Sequence, residues 1–163
     1  MAEPREIIVR QATSNDVNAI TYIIRKVEWL PQLKGEPPSV TSGRVAEIIE
    51  TCDAEQGHEM LVAQFADSGE VAGYISIHWL PYAILRGLEG FISELFVKES
   101  CRGMGVGAKL VEAAKELARQ NNCSRLSLLN GRNRPSYERG FYKKCGFTER
   151  DEMANFIFIL PEK

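Results

Sequence analysis

The chain has 163 residues, enough for one domain that buries roughly 70% of its unfolded surface. It is 44% hydrophobic and 26% charged, an ordinary soluble balance, and its net charge of -2 gives no electrostatic case for nucleic acid or an anionic membrane as a partner. Cys52, Cys101, Cys123 and Cys145 are scattered without C-x-x-C spacing, which excludes the usual zinc motifs, and no metal is expected. The opening MAEPREII has no apolar stretch of the kind a secretory signal needs, and no segment approaches the apolar length that spans a bilayer. A cytoplasmic protein with reduced thiols is expected, folded as one domain over residues 1–163 without repeats or linkers.

In chain order, residues 7–12 read as a strand. Thr13 and Asp16 have the spacing of a capping box, and Val17, Ile20, Ile24 and Val27 then predict an amphipathic helix over 15–29. Pro31, Gly35, Pro37 and Pro38 make a loop, and a second helix is expected near 41–52. A strand at 60–66, a turn at Asp67-Ser68-Gly69-Glu70 and an alternating strand at 71–79 predict a hairpin. A strand at 90–97, a glycine-dense segment, a long helix, a strand at 125–129 and a short helix at 136–144 follow. A last strand is expected at 155–160, with another short one around 147–153. The hairpin favours antiparallel pairing and the later interleaving favours parallel pairing, so the fold class is α+β with a mixed sheet.

The strongest local feature is Arg102-Gly103-Met104-Gly105-Val106-Gly107, between a strand and a helix. Glycines let the backbone approach a ligand, and the free N–H groups of a helix's first turn suit an anion such as a pyrophosphate. Gly103, Gly105 and Ala108 satisfy a dinucleotide G-x-G-x-x-A pattern, but four residues separate Val97 from Arg102 and the next strand ends in Asn130 rather than an acid. Lys109 does not complete a Walker A loop. A bare turn would not need three glycines in five residues.

Arg102, Gly105 and Gly107, with Val97 five residues before the Arg, resemble the coenzyme A loop of the GNAT superfamily of N-acetyltransferases. A second motif of that family, a Tyr before a Gly-Phe pair, is matched by Tyr142 with Gly146 and Phe147. The motifs span residues 91–147, and the order of elements extends the resemblance over nearly the whole chain. The resemblance implies a single domain with a mixed sheet of about six to seven strands, flanked by helices and splayed at the acyl-CoA site. It implies acetyl-CoA as acyl donor and direct attack by a primary amine in a ternary complex. The coenzyme would lie on the backbone of Arg102, Gly103, Met104, Gly105, Val106, Gly107 and Ala108, with its pantetheine arm along Leu95, Phe96 and Val97. Many members carry an Asn seven residues before the Tyr; here that position is Pro135, so the contact is open between Asn130 and Asn133, and Asn133 joins the coenzyme set with Tyr142.

An alkyl amine has a pKa of about 10 and must lose a proton to attack. Glu94 is the candidate base, on a strand face expected to carry Ile92 and Phe96, whose apolar surroundings would raise its pKa. The plainer alternative is a strand carboxylate paired with a base or facing solvent. Tyr142 is the candidate donor to the leaving sulfur, against the alternative of a ring packed beside Phe141 and Phe147. His78 reads better as a hydrogen-bonded structural residue, and Cys101 as incidental. Arg132, Arg134, Arg139, Lys143 and Lys144 form a basic cluster suited either to the coenzyme's 3′-phosphate or to solvent.

By the resemblance, the acceptor region would draw on Glu28, Trp29, Leu30, Gln32 and Glu36, then on His78, Trp79, Tyr82 and the 131–136 loop. Those residues suit a cationic amine with apolar parts. The acceptor is expected to be a small-molecule amine, amino acid or aminoglycoside-like compound. A protein or peptide amine, a non-catalytic acyl-CoA sensor and a nucleotide-binding regulatory domain remain as alternatives. The resemblance also leaves a homodimer open.

Overall fold

Alternation along one strand sets the two faces of the sheet. In β3 (Val71–Leu80) nearly every position is buried, so the strand must be covered on both sides. The computed structural model describes residues 4–54 and 56–161. These fall into two compact units, one ending at Leu129 and the other beginning at Asn130. The first holds a five-stranded sheet in the order β1-β2-β3-β4-β5, formed by β1 (Ile7–Gln11), β2 (His58–Phe65), β3, β4 (Leu88–Val97) and β5 (Cys123–Leu128). The first three pairings are antiparallel and the β4–β5 pairing is parallel. Fold class and mixed sheet agree with the sequence reading.

On one face, α1 (Val17–Arg25) and α2 (Pro38–Ala54) enclose Ala12, Ile20, Ile23, Val45, Ile49, Met60, Val62 and Tyr74. Ile20 is wholly buried, and removing a side chain of that size from water contributes about 1.5–3 kcal/mol. On the other face, α3 (Val106–Gln120) presses Val106 and Leu110 against the sheet. A Cβ at Gly73 would stand 3.1 Å from Val106 Cγ1 and 2.8 Å from the Phe96 carbonyl oxygen, so the approach of helix to strand requires glycine there. Among the described residues no helix is long and apolar enough to cross a membrane.

The first helix begins later than its periodicity predicts. Ser14–Asp16 form a 3₁₀ turn, and α1 then ends at Arg25. Asp16 explains the start. Its carboxylate accepts the Thr13 backbone N–H at 2.7 Å, as the capping box predicts, and also two Arg10 nitrogens at 2.8 and 3.0 Å. Burial opposes ionisation of Asp16, but Arg10 and the Thr13 amide outweigh it and hold the carboxyl below its ordinary value.

The second unit contains two four-residue helices, α4 (Pro135–Glu138) and α5 (Phe141–Lys144). Gly140, at φ +62, separates them, which divides the single helix expected at 136–144. The strand expected at 155–160 and the shorter one around 147–153 are not formed among the described residues, so the sheet has five strands rather than six or seven. A strand needs a neighbour to hold its backbone hydrogen bonds, and the pattern of NFIFIL specifies a strand without specifying its partner.

Replacing Asp16 with Ala should lower stability by about 1.5–3 kcal/mol, the range for hydrogen bonds to a charged group. Because the folded Asp16 pKa is depressed, its contribution is present above the unfolded value near 4 and is lost as pH falls through the lower folded value. Thermal melts of both proteins between pH 7 and pH 2 should therefore converge at the acid end.

Candidate active site

Strand β4 positions the site by leaving its neighbours at different points. Its ladder with β3 continues to Val97↔Gly73, whereas its ladder with β5 runs only from Leu88↔Cys123 to Ile92↔Leu128. Among the described residues, the β5 side of β4 is therefore unpaired from Ser93 to Val97. This is the splay expected of the sheet, and it contains Leu95, Phe96 and Val97. A bulge accompanies it. Ser76 opposes Glu94 while Ile77 opposes Ile92, so Ser93 is the extra residue. The bulge also corrects the sequence reading of Glu94. Ile92 shares the Ile77 side, while Glu94 and Phe96 share the Ser76 and Tyr74 side.

On that side Glu94 has a defined setting. Tyr74 is fully buried, and its hydroxyl donates to Glu94 Oε2 at 3.2 Å. Burial pushes the Glu94 carboxyl above its ordinary value, opposed by the Tyr74 hydrogen bond and the charge of Arg44. The same burial and the nearby carboxylate keep the Tyr74 phenol protonated. The ring of Phe96 lies between those of Tyr74 and Trp29, with centroids 5.9 and 5.8 Å away. Glu94 thus lies next to an aromatic row that ends at half-exposed Trp29.

A polar chain braces this region from the helices. Arg44 donates to both oxygens of Glu36, at 2.8 and 3.1 Å, and buried Thr41 donates to Glu36 at 2.7 Å. Arg25 in turn donates to the Thr41 hydroxyl at 3.0 Å. The Arg44 and Thr41 hydrogen bonds hold the Glu36 carboxyl below its ordinary value. Sequence reasoning placed Glu36 in the acceptor region but missed Arg44 and Tyr74. Their role comes from long-range proximity to Glu94, which no local spacing records.

The glycine loop follows β4 through a 3₁₀ turn at Glu99–Cys101. Gly103 and Gly105 have φ of +79 and +84, the left-handed region that other residues enter at a cost. Gly105 caps α3, and the first helical hydrogen bond runs from the Lys109 N–H to the Gly105 carbonyl at 3.0 Å. The N–H groups of Val106, Gly107 and Ala108 precede that bond, at the positive end of a fifteen-residue helix. Arg102, Gly103, Met104 and Gly105 are exposed beside them, and no side chain caps the helix. The loop therefore fits a phosphate group.

His78 Nε2 lies 3.0 Å from Ser93 Oγ, and its ring stacks on His58. Burial, then His58, lowers its pKa, so it is neutral near pH 7. Cys101 is buried, as a packing residue would be. Among the described residues no group of three or more His, Cys, Asp or Glu is placed to hold a metal ion.

In the second unit, Tyr142 packs edge-on to Phe141 and Phe147, at 4.9 and 5.9 Å. Burial, then the neighbouring Cys145, pushes its pKa up to about 12, so the phenol keeps its proton at neutral pH. Asn133 is exposed, while Asn130 accepts a hydrogen bond from Ser136 at 3.0 Å. The basic cluster is partly neutralised: Arg132 and Lys143 pair with Glu149, which also accepts the Tyr137 hydroxyl at 3.0 Å.

The sequence pattern of the acetyltransferase (GNAT) family matches residues 25–147. Glucosamine 6-phosphate N-acetyltransferase 1 of Oryza sativa subsp. japonica is 27% identical over 97% of this chain and 100% of its own length. Thialysine N-epsilon-acetyltransferase of Bos taurus is 25% identical over 75% of this chain and 73% of its own. Among solved structures, a transcriptional regulator from Bacillus halodurans C-125 superposes with a TM-score of 0.77 at 23% identity, covering 94% of this chain and 100% of that one, which shows the shared fold. With the family pattern covering the glycine loop, the splayed strand and the Tyr142 motif, the chain belongs to the GNAT family of acetyltransferases and is an acyltransferase.

Proposed function

We propose that the chain, over residues 1–163, works as one N-acetyltransferase domain that moves an acetyl group from acetyl-CoA to the primary amine of a small molecule, by direct attack in a ternary complex. The observation that carries this reading is the layout of β4. One short stretch bears both a main chain unpaired on its β5 side and Glu94, and it leads directly into the anion-binding loop. The names of the rice and bovine relatives, which give glucosamine 6-phosphate and thialysine, support a small amine as acceptor. The same reading places the enzyme in the cytoplasm and gives it no nucleic-acid or membrane partner.

Acetyl-CoA, when bound, supplies the activated acetyl thioester. The chain's residues do the rest. The N–H groups of the 102–108 loop hold the phosphates, and Leu95, Phe96 and Val97 offer main chain to the pantetheine amides. Asn133 is assigned to the coenzyme set as well. Fixing both reactants supplies much of the rate through proximity. Glu94, with its pKa raised by burial, takes the proton of the ammonium directly or through water. The phenol of Tyr142 holds its proton too tightly to release it fully to a sulfur of ordinary thiol pKa near 8.5. It therefore steadies the departing thiolate with a hydrogen bond, and the thiolate takes the second proton that the nitrogen sheds as the amide forms. The rings of Trp29 and Phe96, backed by buried Tyr74, receive the apolar part of the acceptor.

Release of free CoA across a panel of amino sugars, amino acids, polyamines, aminoglycosides and lysine peptides tests the proposal. A small-molecule hit is expected. A response to peptides alone would move the acceptor to protein, and tight acetyl-CoA binding with no turnover would indicate a sensor.

Gly105→Asp places a carboxylate where phosphate belongs, and should abolish acetyl-CoA binding in calorimetry. Gly105→Asn tolerates the left-handed backbone without the charge and should retain measurable affinity. Equal loss in both would assign the effect to shape rather than to the anion.

Glu94→Gln should lower kcat about 10²–10⁴-fold, as expected for a lost base. The unsubstituted enzyme should lose activity as pH falls through the raised Glu94 pKa. Tyr74→Phe removes a hydrogen bond that favours the ionised carboxylate, so the acid limb of the kcat/KM profile should move upward. An unmoved limb would detach Glu94 from the reaction.

Tyr142→Phe should lower kcat with little change in acetyl-CoA affinity. A kcat within about twofold of the original would remove its donor role, since a hydrogen bond to a charged sulfur is worth about 1.5–3 kcal/mol, or at least roughly tenfold in rate.

A further inference from the structure

Strand β4 carries two carboxylates on one face. Glu89 opposes Leu80 and Glu94 opposes Ser76, and the period of two along β3 puts both on the side of Tyr74. Their partners differ. Glu94 accepts the Tyr74 hydroxyl and feels Arg44 through its charge. Glu89 is buried and held from β5: Arg125 donates to its Oε2 at 2.8 Å, and the Ser127 hydroxyl donates to its Oε1. The mechanism uses Glu94 and leaves Glu89 without a role.

The place of these contacts gives them a meaning. Arg125 stands directly opposite Glu89, and Ser127 stands opposite Phe91, one rung before the ladder ends at Ile92↔Leu128. One carboxylate of β4 thus grips β5 at two levels immediately below the point where the strands part. Leu129, the next residue on that side of β5, is 65% exposed. On the opposite face the strands also meet closely: a Cβ at Gly90 would stand 2.8 Å from Leu126 Cδ1 and 3.0 Å from Trp79 Cζ3. The ladder has to be firm up to Leu128 and open directly after it. Main-chain bonds alone do not set that boundary, because a parallel ladder is slightly the weaker kind and is free to fray or extend by a rung. A charge-assisted side-chain tie does set it, since removing one partner leaves a buried charge uncompensated.

We propose that Glu89, through Arg125 and Ser127, is the positioning residue that fixes the fork between β4 and β5 at which the pantetheine arm of acetyl-CoA enters. The inference rests on the acetyltransferase reading above and adds to it a residue that acts on the coenzyme only through the position of β5. With the clasp closed, β5 is held as far as Ser127, and the free main chain of β4 begins at Ser93 in a fixed register. With the clasp open, β5 frays back toward Cys123 and the groove beside Leu95, Phe96 and Val97 loses its second wall. The glycine loop is untouched by this, because it is seated by α3 and not by β5.

Calorimetry on the full chain with two ligands tests this. One is acetyl-CoA; the other is adenosine 3′-phosphate 5′-diphosphate, which keeps the pyrophosphate and lacks the pantetheine arm. Ser127→Ala and Glu89→Gln should each weaken acetyl-CoA binding about tenfold, the size of one lost hydrogen bond to a charged group, and leave the shorter ligand within about twofold. Ser127→Thr keeps the hydroxyl, suits a strand and should restore acetyl-CoA affinity. In turnover, the KM for acetyl-CoA should rise, while kcat at saturation and the acid limb set by Glu94 stay in place. Amide hydrogen exchange should quicken in Cys123–Leu128 and not in Val106–Gln120. The Ser127 pair carries the test alone where Glu89→Gln does not fold. Equal loss of both ligands, unchanged acetyl-CoA affinity, or a Ser127→Thr protein as weak as Ser127→Ala overturns the proposal. An unsubstituted protein that binds neither ligand overturns the acetyltransferase reading itself, and the role of the clasp with it.

Discussion

Everything at the site depends on where β4 stops being shared. A strand inside a sheet has both edges occupied, and its main chain is then unavailable to any ligand. β4 keeps β3 from Glu89 to Val97, apart from the bulge at Ser93, but leaves β5 at Ile92. The five residues beyond that point retain the rigidity of a sheet on one side and, among the described residues, an unpaired edge on the other. The bulge at Ser93 marks the same place and turns Glu94 toward the α1 and α2 face. The glycine loop, a few residues later, inherits its direction from this strand and its rigidity from Val106 and Leu110 beneath α3.

Glu94 is held between opposing influences. Burial favours its neutral form, while the Tyr74 hydroxyl and the Arg44 charge favour the ionised form. Arg44 is not free to collapse onto Glu94, because Glu36 holds it by two hydrogen bonds. Thr41 and Arg25 fix Glu36 in turn. The carboxylate therefore keeps a raised affinity for protons without being neutralised by a direct ion pair. Such a balance suits a group that must accept a proton and release it again.

The legible parts of the molecule were those encoded by local spacing. The glycine segment, the periodicity of α3 and the Asp-Ser-Gly-Glu turn each carry their meaning within a dozen residues. So does the Thr13–Asp16 cap. The aromatic row and the Arg44–Glu36–Thr41 chain were not legible, because Phe96, Tyr74, Trp29 and Arg44 are distant in sequence and meet only through the sheet and helices. The bulge was also hidden, since strict alternation along 90–97 puts Ile92 and Glu94 on one face. The terminal run shows a different limit: its Ile and Phe composition favours an extended conformation and names no partner strand.

The two halves of the first unit's site are written in different alphabets. The loop that suits phosphate is made of main-chain amides and needs only glycines at 103 and 105 and a well-seated helix. Its exposed side chains, such as Met104, Ala108 and Lys109, can drift with little consequence. The region around Glu94 is written in side chains from α2, β3, β4 and the segment after α1, where each substitution changes shape or charge. Descendants of such a sequence would keep the main-chain loop while changing the side chains around Glu94, and the glycine segment would stay recognisable long after those side chains had been exchanged. Overall similarity in this architecture is therefore a measure of the shared main-chain loop far more than of the side chains around Glu94.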